Sequence, residues 1–221
     1  MILLSWLQGF CQQSNDVKIS FVVAFKSIPI VLHDSTYLHE DGSGLKFETL
    51  KFYISNVQLL QNDVAVFIEQ NSFHLIDISD ASSQNIILKQ NKQINFNKVR
   101  FKLGIDSITN VSGAMGGDLD PTKGMYWAWQ SGYINFKMEG ACSSCLLPKY
   151  DFEFHLGGYQ YPFNALQQIE LKTISKNNFN IVLDINQFFT AVGLSKQKQI
   201  MSPCDDAVKL SSQLANCFSV K

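Results

Sequence analysis

No sign of charge dominates this 221-residue chain: 18 Lys and Arg stand against 19 Asp and Glu, a net charge of -1. A basic excess able to hold nucleic acid or an anionic membrane surface is therefore missing. Only 17% of residues are charged, and no apolar run after the first ten residues approaches the ~20 that a membrane span requires. Several catalytic signatures are also absent. There is no Gly-x-Ser-x-Gly elbow, no His-Glu-x-x-His and no phosphate-binding glycine loop, and the carboxylates are too scattered for a glycosidase pair. The chain is not expected to be an enzyme.

What the chain has is aromatic residues, 17 Phe and 7 Tyr, which pack well on pleated sheets and sit poorly with disorder or coiled coil. Much of it alternates with period two, the mark of half-buried strands. Val99, Phe101, Leu103 and Ile105 alternate with polar residues or Gly104, and so do Ile134, Phe136 and Met138, then Phe152, Phe154 and Leu156. Further strands are expected over Val17 to Phe25, Leu45 to Leu60, Val64 to Glu69, Phe73 to Ile78, Ala165 to Thr173 and Phe179 to Ile185. About ten strands with polar turns predict an all-β fold, a two-sheet antiparallel (Ig-like) sandwich. A short helix at Gln187 to Val192 and a C-terminal helix complete it. No linker or repeat divides residues 15–221, so they form one domain.

Met1 to Phe10 is mostly apolar and is followed at once by the polar stretch from Cys11 to Asp16, which reads as a clipped signal peptide over residues 1–14. Export to the periplasm or cell surface is the expectation, with Cys11 as leader sequence. Cys142, Cys145, Cys204 and Cys217 remain, an even count that suggests two disulfides in an exported chain. From Pro203 onward, Ala207, Leu210, Leu214 and Cys217 share one helical face, and Asp205 and Asp206 suit its N-terminus. Such a helix holds Cys204 and Cys217 roughly 20 Å apart, beyond the ~7 Å between Cα atoms that a disulfide tolerates. Each tail cysteine is therefore expected to bond one of Cys142 and Cys145.

Asp106 to Met125 breaks the strand pattern as a twenty-residue, glycine-rich loop that leads into Tyr126-Trp127-Ala128-Trp129. Loops of that length are usually functional. Trp127 and Trp129, two apart, are expected to face the same way in a strand, as packing or as an oxidisable pair. Asp118 and Asp120 offer hard oxygen ligands that suit calcium, although a turn uses the same residues. His33 and His39 flank a turn and are expected to be solvated.

Several stretches together resemble the MbnP-like family. They are LKFYISNVQL ending at Leu59, FHLIDISDASS at 73–83, VRFKLGIDSITNVSGAMGGDLDPTKGMYWAWQSGYINFKMEG at 99–140, FEFHLGG at 152–158, IMSPCDDA at 200–207 and ANCF at 215–218. That family contains methanobactin-associated proteins and methanotroph copper-repressible surface proteins. The resemblance implies an exported β-sandwich with a copper site of two histidines and an oxidised tryptophan, the latter produced by a di-haem cytochrome c peroxidase-like partner. His155 matches the histidine of Phe-His-Leu-Gly, and His74 stands before the Leu-Ile-Asp strand. Residues 61–73 contain no Trp, so the tryptophan-derived ligand has no matching position. Copper binding through His155 and His74, in metal handling or storage, is one expectation. The others are a partner-binding module that has lost the copper site, and a substrate of the haem enzyme at Trp127 or Trp129.

Overall fold

The computed structural model describes residues 15–143, 151–173, 177–192 and 199–221. The chain is mostly β, in two large sheets, with a helix near its C-terminus. The first strand, Val17–Phe25, buries Val17, Ile19, Phe21 and Val23 and turns Lys18 outward, as its alternation requires. It pairs antiparallel with Asn85–Leu88 and Ile28–Pro29, and parallel with Asn178–Asp184. Phe218–Val220 adds to the far side of Asn178–Asp184 and completes a five-stranded sheet.

The ten-stranded sheet is organised by one long strand, Gly44–Gln61. Along one edge it pairs with Gly132–Cys142 and then Lys98–Leu103. Along the other it pairs with Tyr37–Leu38, Phe73–Asp77 and Val64–Ile68. Asp151–Gly157 lies beyond Gly132–Cys142, and Gln167–Lys172 lies beyond Lys98–Leu103. Gln199–Ile200 runs parallel to Asp151–Gly157 at the rim. Among the described residues, every ladder but two is antiparallel as expected. Period-two alternation fixes which face a residue takes and leaves strand direction open, so the two parallel pairings carry no local signal.

The two sheets meet through aromatic rings. Phe21 of the five-stranded sheet lies edge-on to Phe52, at 6.2 Å, and to Phe101, at 5.9 Å, both on the larger sheet. The short helix Asn186–Ala191 inserts Phe188 and Phe189 against Phe154 and Phe152, each pair at 5.4 Å. Helix Asp205–Ala215 buries Ala207, Leu210, Ser211 and Leu214, and Asp205 and Asp206 occupy its first turn. Each buried leucine side chain there is worth about 1.5 to 3 kcal/mol against exposure. This helix ends at Ala215, two residues short of the Cys217 expected on its face, because the chain turns at Asn216 and Phe218 enters the five-stranded sheet.

A second, smaller core lies on the opposite face of the large sheet. Tyr53, Leu75, Ile105, Leu119, Met125, Trp127, Tyr133 and Ile134 pack there beneath the segment expected to be a loop. That segment contains a short helix, Ser107–Val111, capped by Asp106, whose Oδ1 accepts from Thr109 N at 2.8 Å, and two single turns of 3-10 helix. It covers the outer face of the sheet.

Candidate functional site

Strand register places four charged or titratable residues in one row across this outer face. Asp77 pairs with Lys51, Lys51 with Lys137, and Lys137 with His155, each on an adjacent strand. In the next row, Thr49, Glu139 and Glu153 are aligned in the same way. Lys51 Nζ lies 2.8 Å from Asp77 Oδ2. Glu139 Oε1 lies 2.7 Å from His155 Nε2 and 3.2 Å from Lys137 Nζ.

His155 is buried. Burial holds its imidazole below the ordinary value against the support of the Glu139 hydrogen bond, and the Lys137 charge adds to the depression. Burial resists ionisation of Glu139 too, but the His155 hydrogen bond and the Lys137 charge outweigh it and keep that carboxyl below its usual range. An ionised carboxylate only accepts, so His155 Nε2 carries the hydrogen and Nδ1 keeps the ring's free lone pair.

His74 is on the other face. It pairs with Ile54, three residues along the central strand from Lys51, in a ladder without a bulge. Three steps along a strand reverse the side chain's face. The two histidines are also three strands apart, about 14 Å across the sheet and about 10 Å along it at ordinary strand spacings. Two imidazoles sharing one metal must bring their nitrogens within about 4 Å. His74 Nε2 is engaged by Glu69 Oε2 at 2.8 Å, and that same oxygen accepts from Ser72 Oγ at 2.6 Å. The expected pair of copper ligands is not brought together, and among the described residues no group of three His, Cys, Asp or Glu converges on one point. The donors present do not fit the implied copper centre.

The two loop aspartates diverge as well. Asp118 receives the Leu75 backbone N–H at 3.1 Å and pairs with Lys123 at 2.6 Å. Asp120 caps the turn that follows it, accepting from Thr122 N at 2.8 Å and Thr122 Oγ1 at 2.7 Å. Asp118 ties its segment to the strand of Leu75, whereas Asp120 serves only its own turn, as turn aspartates do. In DISDASS, Asp77 receives Ser79 and Asp80 receives Ser82 in the same manner. His33 is exposed, whereas His39, expected to be solvated, keeps only 12% of its side chain exposed and lies 3.1 Å from Asp41.

Sequence reading missed the residue that organises this face. Asn110 is 2% exposed. Its amide donates to Ile105 O at 3.0 Å and Asp106 O at 2.9 Å, and its Oδ1 accepts from Tyr133 N at 2.8 Å. Tyr133 Oη then accepts from Met115 N at 3.0 Å and donates to Leu119 O at 3.1 Å. Tyr53 Oη donates to Asp118 O at 3.0 Å. Burial pushes both phenols above their ordinary value. An Asn inside a helix is a common enough residue that only its partners reveal the role.

The two tryptophans do not share a fate. The strand ends at Trp127, so the alternation expected to align them stops there. Trp127 is buried, its ring against Gly157, where an added Cβ would lie 2.8 Å from it. Trp129 is 67% exposed, 6.0 Å from Trp127 between ring centroids. Next to Trp129, Gln130 faces a small hairpin in which Tyr159–Gln160 pairs with Phe163–Asn164. Between them is a hollow of about 280 Å³. Gly158 allows it to form: at φ +121° any side chain is strained, and a Cβ would sit 2.2 Å from Phe163 O.

No disulfide is seen among the described residues. Cys204 instead caps the C-terminal helix, its Sγ accepting from Ala207 N at 3.4 Å. The buried Cys217 thiol faces Gln213 O at 3.5 Å and is pushed up to about 12, mainly by burial. Cys145 lies outside the described residues, and so does the leader expected over residues 1–14.

Fold and site together define a mostly β protein whose larger sheet carries a loop-covered polar and aromatic outer face. The MbnP family model matches residues 14–203, and the chain belongs to the MbnP family. Its fold is similar to that of MbnP from Methylosinus trichosporium, with a TM-score of 0.58 at 14% identity over 81% of this chain and 79% of that chain. No curated protein matches it.

Proposed function

We propose that this chain is an exported, non-enzymatic MbnP-family protein whose two-sheet sandwich is a binding scaffold rather than a holder of a two-histidine copper centre. Its working face is the outer surface built by residues 106–133 and the Tyr159–Asn164 hairpin. Family membership supports a copper-related setting in the cell envelope, and the apolar leader supports export. No helix among the described residues is long and apolar enough to cross a membrane.

One observation carries the reading: His74 and His155 lie on opposite faces of one sheet, each against its own glutamate. The test is copper retained per chain after dialysis against a weak competitor, for wild type, His155→Ala and His74→Ala. The expected result is no stoichiometric copper in any of them. One copper per wild-type chain, lost in both variants, overturns the proposal and restores the expected handling or storage role.

A second reading is favoured by the exposure of Trp129. A di-haem peroxidase-like enzyme charged by hydrogen peroxide would withdraw electrons from that ring, with Trp127 as the next aromatic inward. Peptide mass spectrometry after incubation with such an enzyme and peroxide tests it. Oxygen added at Trp129 supports this reading, and an unmodified Trp129 removes it.

A further inference from the structure

We propose that the hollow beside the Tyr159–Asn164 hairpin is a binding site for a neutral saccharide. The inference rests on the reading of this end of the molecule as a binding face and narrows it to one ligand chemistry. Three features carry it.

The first is the absence of charge. Among the described residues the lining side chains are aromatic, proline or carboxamide, including Tyr159, Tyr161, Phe163, Pro203, Gln130 and Gln160, and none of these is ionised at neutral pH. A phosphate, carboxylate or ammonium ligand would find no counter-charge there. The second is the exposure of a large ring. Tyr161 lines the hollow at the turn of the hairpin and is 97% exposed. Tyr159 and Phe163 supply two further rings to the same lining. Flat, amphipathic rings of this kind supply apolar contact to the carbon face of a sugar while their polar edges stay wet.

The third feature is the pairing of donors with acceptors. Gln130 and Gln160 each carry both an acceptor oxygen and a donor amide. The hydrogen bonds already made here are long: Gln160 Nε2 to Tyr159 Oη is 3.5 Å, and Tyr159 Oη to Ser131 O is 3.4 Å. A ligand can displace them at small cost. A hydroxyl gives and takes a hydrogen bond, so a polyol answers both ends of each carboxamide. A proline-rich peptide offers mainly carbonyl acceptors and would leave the glutamine oxygens unanswered. The volume, about 280 Å³, is at the lower edge of small-ligand pockets and suits a short oligosaccharide.

Maltotriose, cellotriose and triacetylchitotriose are each titrated into the full chain. Trp fluorescence and the NMR shifts of the glutamine side-chain amides are followed together. Saturable binding of at least one sugar is expected, weakened about three- to tenfold in Tyr161→Ala, a contribution in the range of one aromatic contact. Tyr161 is almost wholly solvent-facing, so circular dichroism of that variant should match wild type, and Gln160→Ala provides a second loss-of-binding variant. Saturation by none of the three sugars overturns the inference. So does saturation by choline or by a proline-rich decapeptide instead. A peptide result would leave the binding face standing with another ligand class, while the copper measurement decides the wider reading independently.

Discussion

Glu139 and His155 face each other across neighbouring strands at 2.7 Å, and Lys137 holds the same carboxylate oxygen at 3.2 Å. One carboxylate thereby ties together a lysine and a neutral imidazole that burial keeps from gaining a proton. Acidification attacks this arrangement from two sides. Between its folded value and the ordinary 6.5, His155 carries more protons in the unfolded chain than in the folded one, so stability rises with pH across that window and falls on acidification. Glu139, depressed below its ordinary 4.5, adds stability above that value and loses it as pH falls through its folded value. The thermal midpoint should therefore decline as pH is lowered from 7 to 5. His155→Gln keeps a donor without a titration and should flatten that decline, as circular dichroism melts across pH will report.

Asn110→Ala should loosen the covering of the outer face. The substitution removes three hydrogen bonds, two of them fully buried, and leaves Tyr133 N–H without its acceptor. A buried group left unsatisfied costs about 1 to 3 kcal/mol, so a loss of about 2 to 4 kcal/mol in urea unfolding is expected. An unchanged midpoint would mean that the segment is held chiefly by its apolar contacts.

Gly158→Ala tests the close approach beneath the hairpin. The new methyl would meet Phe163 O at 2.2 Å, at a backbone angle that L residues rarely adopt. A destabilisation of about 2 to 4 kcal/mol is expected from strain and displacement together. NMR shifts confined to Tyr159–Asn164 and its neighbours would locate the damage.

The limits of sequence reading follow from what a period can encode. Alternation placed Val17–Phe25 with the same bounds that the structure gives it, and placed the long central strand to within a residue at each end. The same alternation of Phe152, Phe154 and Leu156 sets His155 on the opposite face, which is where it lies. Alternation carries no information about neighbours or cover. His155 sits on the polar face and is nevertheless buried, because Glu139 and Lys137 arrive from a strand that begins about twenty residues earlier in the chain. The separation of His74 from His155 could be read only after the strand order was known, since it depends on two intervening strands and on their register. Asn110 was invisible for a related reason: two of its carbonyl partners are local, but the Tyr133 amide that fixes its orientation comes from another element.

The parallel pairing of Val17–Phe25 with Asn178–Asp184 sets the order in which this molecule can be assembled. Lys18 meets Asn178, so the ladder joins positions about 160 residues apart, and a loop of that span must be closed before any bond in it forms. Until Asn178–Asp184 has been made, that side of Val17–Phe25 has no partner strand in the five-stranded sheet. Phe218, which packs at 6.1 Å from Phe52 and 5.7 Å from Phe101 between ring centroids, follows later still, so those rings wait for part of their cover. A nascent chain of this kind keeps part of its core open while much of it is still being made, the state in which aggregation competes with folding.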